Sequence, residues 1–130
     1  MPDDDMVKPM QIGEVADRTG LSFRTLRHYD EVGLLQPSAR SDGGFRLYTE
    51  SDVQRLLVIR RMKPLGFSLD EMGEVMRTVS ALDESDGDRD ALLTSIAGTI
   101  DEARLRRDKL ERHLAMANEF IDMLSKRLVE

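Results

Sequence analysis

Apolar positions recur along this chain in two rhythms, a helical one and a short alternating one. Ile12, Val15 and Ala16 follow helical spacing, and Gly20 closes that segment. Ser22 can cap a second helix from about Phe23 to Val32, ended by Gly33. Leu26 and Tyr29 share one side of it, while Arg24, Thr25, Arg27 and His28 lie largely elsewhere. Two short helices joined by a tight turn predict a helix-turn-helix. Between Pro37 and Tyr48 the rhythm changes. Asp42-Gly43-Gly44 is a turn signal, after which Phe45 and Leu47 alternate with Arg46 and Tyr48. This predicts a small hairpin, a wing, with Phe45 and Leu47 facing the core and Arg46 and Tyr48 facing out. Thr49 and Asp52 form a capping-box pattern before a third helix, with Val53, Leu56 and Leu57 inward, ending near Lys63-Pro64. Ser68 and Glu71 repeat that pattern before a fourth, on which Leu69, Met72, Met76 and Val79 make an apolar face.

Residues 80–88, SALDESDGD, read as a linker. From Arg89 to Leu128 there is no proline, and a 3,4-spaced seam runs through Leu93, Ile96, Ile100, Ala103, Arg107, Leu110, Leu114, Ala117, Ile121, Leu124 and Leu128. A helix of that length spans ~60 Å. No other segment is long enough to cover it, so a second copy in twofold symmetry is the expected partner. Glu102–Arg106, Asp108–Arg112 and Asp122–Lys126 are i,i+4 pairs in the favourable order. Arg107 alone interrupts the seam. It either snorkels to solvent or sets register, with Asp108 or Glu111 to neutralise it in an antiparallel pair. The expected division is therefore a tail over 1–10, a winged helix-turn-helix over 11–79, a linker over 80–88 and a dimerisation helix over 89–128. The fold class is mostly α with a small β-hairpin.

Charge sharpens this picture. The net charge is -6, yet Val7–Gly66 holds ten Lys/Arg against seven Asp/Glu, while Phe67–Glu130 holds nine against fifteen. Asp3–Asp5 supply the rest. A basic front and an acidic rear suit a polyanionic partner at one end only. There is no cysteine, which excludes disulfides, thiolate metal sites and thiol redox sensing. The acidic start lacks the apolar stretch of a signal peptide, and no run of ~18 apolar residues is present, so a cytoplasmic protein with no membrane partner is expected. His28 and His113, the two histidines, lie in different segments. With no Gly-rich phosphate loop, nucleophile elbow or metal-ligand cluster, no catalytic residue, cofactor or metal site is expected. Asp83, Glu84, Asp86, Asp88 and Asp90 lack EF-hand spacing and read as a solvated linker.

The blocks IGEVA, TLRHYDEVGLL-x-P, GGFRLY, the acidic Asp52 and LGFSLDEM stand in order over about residues 11–76, and they resemble the N-terminal domain of the MerR family. The long helix resembles that family's antiparallel dimerisation helix. The resemblance implies a homodimeric transcriptional regulator that binds a pseudo-palindromic promoter and distorts an overlong spacer, with RNA polymerase as a further partner there. The multidrug branch of the family carries a large extra ligand domain. With the sequence stopping after the long helix and holding no cysteine, no such domain is expected, and a non-thiol effector or none.

The residues expected at DNA are Ser22, Arg24, Thr25, Arg27, His28 and Tyr29 on the second helix, Arg40, Arg46 and Tyr48 on the wing, and Lys63 after the third helix. Arginine suits guanine edges and phosphates. Residue by residue the alternatives are plainer: a solvated helix face for Arg24 and Arg27, core for Tyr29, a neutral contact for His28, a helix-end cation for Lys63. Pro64 departs from the charged or small residue many family members carry there. Met72, Met76, Met116, Phe120 and Met123 could line an effector pocket, while Met116 and Met123, seven apart and off the seam, could instead form a stripe that packs on the partner's lobe. The competing reading is a coiled-coil interaction module that uses the winged helix as a docking surface.

Overall fold

A computed structural model describes residues 9–129 of the chain. Its elements in order are β1 (Met10–Gln11), α1 (Ile12–Thr19), α2 (Phe23–Glu31), β2 (Ala39–Arg40), β3 (Arg46–Tyr48), α3 (Glu50–Met62), a 3-10 turn (Lys63–Leu65), α4 (Leu69–Asp83) and α5 (Arg89–Leu128). The boundary between two compact units falls between Arg77 and Thr78.

In the first unit, α1 touches α2, α3 and the small sheet. Gly20 ends α1 in the left-handed region (φ 72°), and its N–H donates to the Ala16 carbonyl at 2.8 Å. A side chain there would be strained, so the tight turn of the helix-turn-helix depends on this glycine. Arg60 of α3 locks the same turn by donating to the Thr19 carbonyl at 2.7 Å. The Ser22 hydroxyl accepts from the Thr25 N–H at 3.0 Å and starts α2. Val15, Leu26, Leu35, Val53, Leu56 and Ile59 fill the core beneath these helices. On α3 the inward face is Val53, Leu56, Ile59 and Met62. Leu57 is only half-buried, a rotation from the expected face.

Two expectations are corrected at the front. Met10 is not tail: it is buried and pairs with Tyr48, so the wing is a three-stranded antiparallel sheet in the order β1-β3-β2. The remainder of the expected tail, residues 1–8, lies outside the described residues. The alternation after the turn is also inverted. Tyr48 is fully buried, whereas Phe45 is 67% exposed and Leu47 half-buried. Phe45 precedes β3, and its ring folds back over the turn, where a Cβ on Gly43 would lie 3.2 Å from it. With that ring spent on the turn, Tyr48 fills the core. A shift of one position in phase exchanges the faces of a strand.

Both capping boxes form. Thr49 and Asp52 exchange bonds at 3.2 and 2.9 Å, and Ser68 and Glu71 at 3.1 and 2.8 Å. Asp52 does more than cap. It is buried, and Oδ2 also accepts from the Ser38 N–H at 3.2 Å and hydroxyl at 2.8 Å, which ties the loop before β2 to α3. Pro64 stops α3 by starting the 3-10 turn.

α4 runs to Asp83, so residues 80–83 are helical and not linker. Ser80, Ala81 and Leu82 are half-buried, which extends the apolar face of α4 by a turn. In the second unit, Asp88 caps α5 by accepting from the N–H groups of Asp90 and Ala91. α5 runs unbroken for 40 residues. Ile96 and Ala103 of its seam are half-buried, while Leu93, Ile100, Leu110, Leu114, Ile121, Leu124 and Leu128 are exposed. Arg107 donates to Asp108 of its own helix at 2.9 Å and lies 3.8 Å from Glu111. Arg106 meets Glu102 at 2.9 Å as the i,i+4 pattern predicts.

Asp52→Ala strands three donors. It is expected to cost about 2–4 kcal/mol, read as a lower urea midpoint, with Asp52→Asn milder.

Candidate nucleic-acid interface

α2 turns Leu26, Tyr29 and Asp30 inward and leaves Arg24, Arg27 and His28 exposed. The 3-10 turn places Lys63 across from them. Together Arg24, Thr25, Arg27, His28, Tyr29, Glu31, Lys63, Phe67, Leu69 and Met72 line one open groove of about 740 Å³. The cations stand over a floor that includes buried Phe67 and Met72. Arg27 also lies over the Phe23 ring, 5.8 Å from its centroid, which holds the guanidinium close to the helix. Ser22 is at the start of α2, its hydroxyl donating to Thr25 Oγ1 at 2.9 Å. A helix N-terminus with cations beside it is a surface suited to anions.

Tyr29 is buried at 4% exposure, as a core residue, and still contributes to the groove. Burial pushes its phenol up from the ordinary value. Tyr48 does not belong to this surface. Its hydroxyl is enclosed and has no hydrogen-bond partner among the described residues, and burial raises its pKa. The expected DNA contact from Tyr48 is therefore withdrawn. Met72 lines the groove and Met76 lies in the core, while Met116, Phe120 and Met123 are exposed on α5.

The wing cations are joined to α2 by a residue the sequence reading passed over. Asp30, 7% exposed, accepts from Arg40 Nη2 at 2.8 Å and from Arg46 Nε at 2.7 Å, both on Oδ2. Burial alone would raise the Asp30 carboxyl. The bonds from Arg46 and Arg40 outweigh it and hold the group below the usual carboxylate range. A signal was present: Asp30 stands four residues after Leu26, on the apolar face of its helix, where an acid requires a partner. At the outer edge Arg18 grips Glu50 with both terminal nitrogens, the second at 2.8 Å. The Arg18 bond, helped by one from Gln54, holds Glu50 at about 2.

A helix-turn-helix flanked by a three-stranded wing, with cations on the exposed face of its second helix, defines the winged helix-turn-helix class. Residues 10–79 match the family model of MerR HTH family regulatory proteins, and residues 53–124 match a second, described as MerR, DNA binding. The chain belongs to the MerR family. The HTH-type transcriptional activator mta of Bacillus subtilis (strain 168) is 41% identical over 100 residues, covering 77% of this chain. The chain spans only 37% of that activator's length. The HTH-type transcriptional regulator YfmP of the same organism is 36% identical over 120 residues, covering 92% of this chain and 80% of that protein. The fold matches a crystal structure of HiNmlR, described as a MerR family regulator lacking the sensor domain and bound to promoter DNA. Its TM-score is 0.70 at 24% identity, with 92% of each chain covered. Among the described residues no helix is long and apolar enough to cross a membrane, and no cluster of three or more His, Asp or Glu could hold a metal ion.

Tyr48→Phe removes an enclosed hydroxyl that has no partner among the described residues. The variant is expected to match or exceed wild-type stability, by up to about 1 kcal/mol, and to keep its DNA affinity. Thermal melts and a gel shift check both.

The depressed carboxyls also set an acid limit. Asp30 and Glu50 release protons more readily folded than unfolded. The Glu50 contribution is full above its ordinary value of 4.5 and lost as pH falls toward about 2, and that of Asp30 is likewise lost on acidification below the usual carboxylate range. Melting temperature is expected to drop on acidification through that window, and less steeply in Glu50→Gln, whose lost pair is exposed and worth little at neutral pH.

Proposed function

We propose that this chain is a sequence-specific transcriptional regulator that binds a pseudo-palindromic promoter duplex as a homodimer. The observation that carries the reading is the convergence of Arg24, Thr25, Arg27, His28 and Lys63 on one open groove, with Arg40 and Arg46 held beside the same helix. In this reading α2 enters the major groove. Arg24 and Arg27 meet base edges and phosphates, Lys63 takes a phosphate beyond the 3-10 turn, and the wing arginines take the adjacent backbone.

Two copies pair through the seam of α5. Its exposed leucines and isoleucines support this, since a 40-residue helix with an apolar stripe needs a covering surface. The neutralisation of Arg107 by Asp108 and Glu111 within its own helix lets two seams approach antiparallel without bare charge at their centres. The dimer then distorts the promoter spacer, at which RNA polymerase is the further partner. The signal is non-thiol or absent, because the chain has no cysteine. The protein acts by binding and not by catalysis, in the cytoplasm. The docking-module reading has no observation that favours it.

Arg24→Ala is expected to weaken binding to the cognate promoter by about 1–3 kcal/mol, with dimerisation intact by sedimentation. Gel shifts across a salt series should show affinity falling steeply with salt. Wild-type affinity in Arg24→Ala would remove α2 from the interface.

A further inference from the structure

We propose that Asp30 is a positioning residue for the wing: it presets Arg46 and Arg40 for phosphate and fixes the wing to the recognition helix. The inference rests on the duplex-binding reading above.

An acid beneath a DNA-facing surface is, by charge alone, unfavourable for binding a polyanion. Burying it also costs desolvation, and pairing recovers that cost only with good geometry. Asp30 has that geometry, and one oxygen provides it. Oδ2 accepts Arg46 Nε at 2.7 Å and Arg40 Nη2 at 2.8 Å, so strands β2 and β3 are both drawn to α2. The Arg46 bond uses Nε, so the two terminal nitrogens of its fork are left for a phosphate. The side chain of Arg46 is 25% exposed and that of Arg40 47%, so each guanidinium is held at one nitrogen by Asp30 while its side chain keeps exposed surface. Free arginines would lose rotamer freedom on meeting DNA, and tethered ones have lost part of it already. The three charges sum to +1, so the node still attracts phosphate. Asp30 also lies two residues from His28 and three from Arg27. The tether therefore sets the spacing between helix contacts and wing contacts.

Asp30→Asn separates this role from a charge effect, because the two predict opposite signs. Removing an acid near a polyanion tightens binding if Asp30 only shapes the field. It weakens binding if Asp30 positions the arginines. The probe is a duplex selected from a random pool by the wild-type full-length protein, titrated across a salt series. The expected result is a folded Asp30→Asn dimer that binds about tenfold more weakly, with a salt slope shallower by about one to two. Arg46→Lys keeps the charge but has a single nitrogen for both Asp30 and phosphate, so it should also weaken binding. It should further leave Asp30→Asn little additional effect. Binding by folded Asp30→Asn as tight as wild type, or tighter, overturns the proposal. Should Asp30→Asn fail to fold, Arg46→Lys decides alone: wild-type affinity and slope in that variant overturn it equally. If the wild-type protein selects no duplex at all, the failure belongs to the DNA-binding reading itself.

Discussion

Oδ2 of Asp30 takes a hydrogen bond from each of two wing strands, and through it a nine-residue helix and a sheet of very short strands become one surface. None of these pieces persists alone. Helices shorter than about 12 residues are marginal in water, and strands of two or three residues gain too few ladder bonds. The arrangement depends on ties across elements, two of them made by the buried carboxylates of Asp30 and Asp52. Asp52 fastens the loop at Ser38 to the start of α3, and Arg60 fastens α3 to the end of α1. The core supplies cohesion, while these directional bonds supply register.

The same ties sort the charges. Of the seven acids in the basic front, Asp30, Asp52 and Glu50 are engaged by arginine or by backbone and hydroxyl donors. The cations that line the groove, Arg24, Arg27 and Lys63, stand on the exposed side of α2 and across from it. A chain with net charge -6 thus keeps a cationic face, because three of those acids are paired or turned inward and only Glu31 joins the cations along the groove. The binding surface is produced by local geometry and not by the overall balance of charge.

α5 poses a different problem. Its cap at Asp88 and its length make a regular helix, but its apolar seam has no cover within the helix itself. The arginine in that seam is met by two acids of the same helix. Local pairing therefore removes a penalty that pairing of two seams would otherwise meet at its middle.

Much of the fold was legible in the sequence because local chemistry decided it. Gly20, Ser22, the Thr49–Asp52 and Ser68–Glu71 boxes and Pro64 set helix ends through bonds or torsions within a few residues. The seam of α5 was legible because eleven positions sampled one period. The groove was legible in part: the periodicity of α2 separated Arg24, Arg27 and His28 from its inward face. What the sequence left undecided were matters of which distant atom is adjacent. Period-two alternation cannot choose its own phase, so whether Phe45 or Tyr48 faced the core was settled only when the Phe45 ring covered Gly43 and Met10 supplied a third strand. Helical spacing marked Asp30 as inward, but its partners stand 10 and 16 residues away on other elements. Lys63 met the α2 cations only once α3 had packed on α1. Local bonds determine where elements begin and end. Tertiary packing decides which faces and charges meet, because that depends on contacts whose sequence separation carries no period.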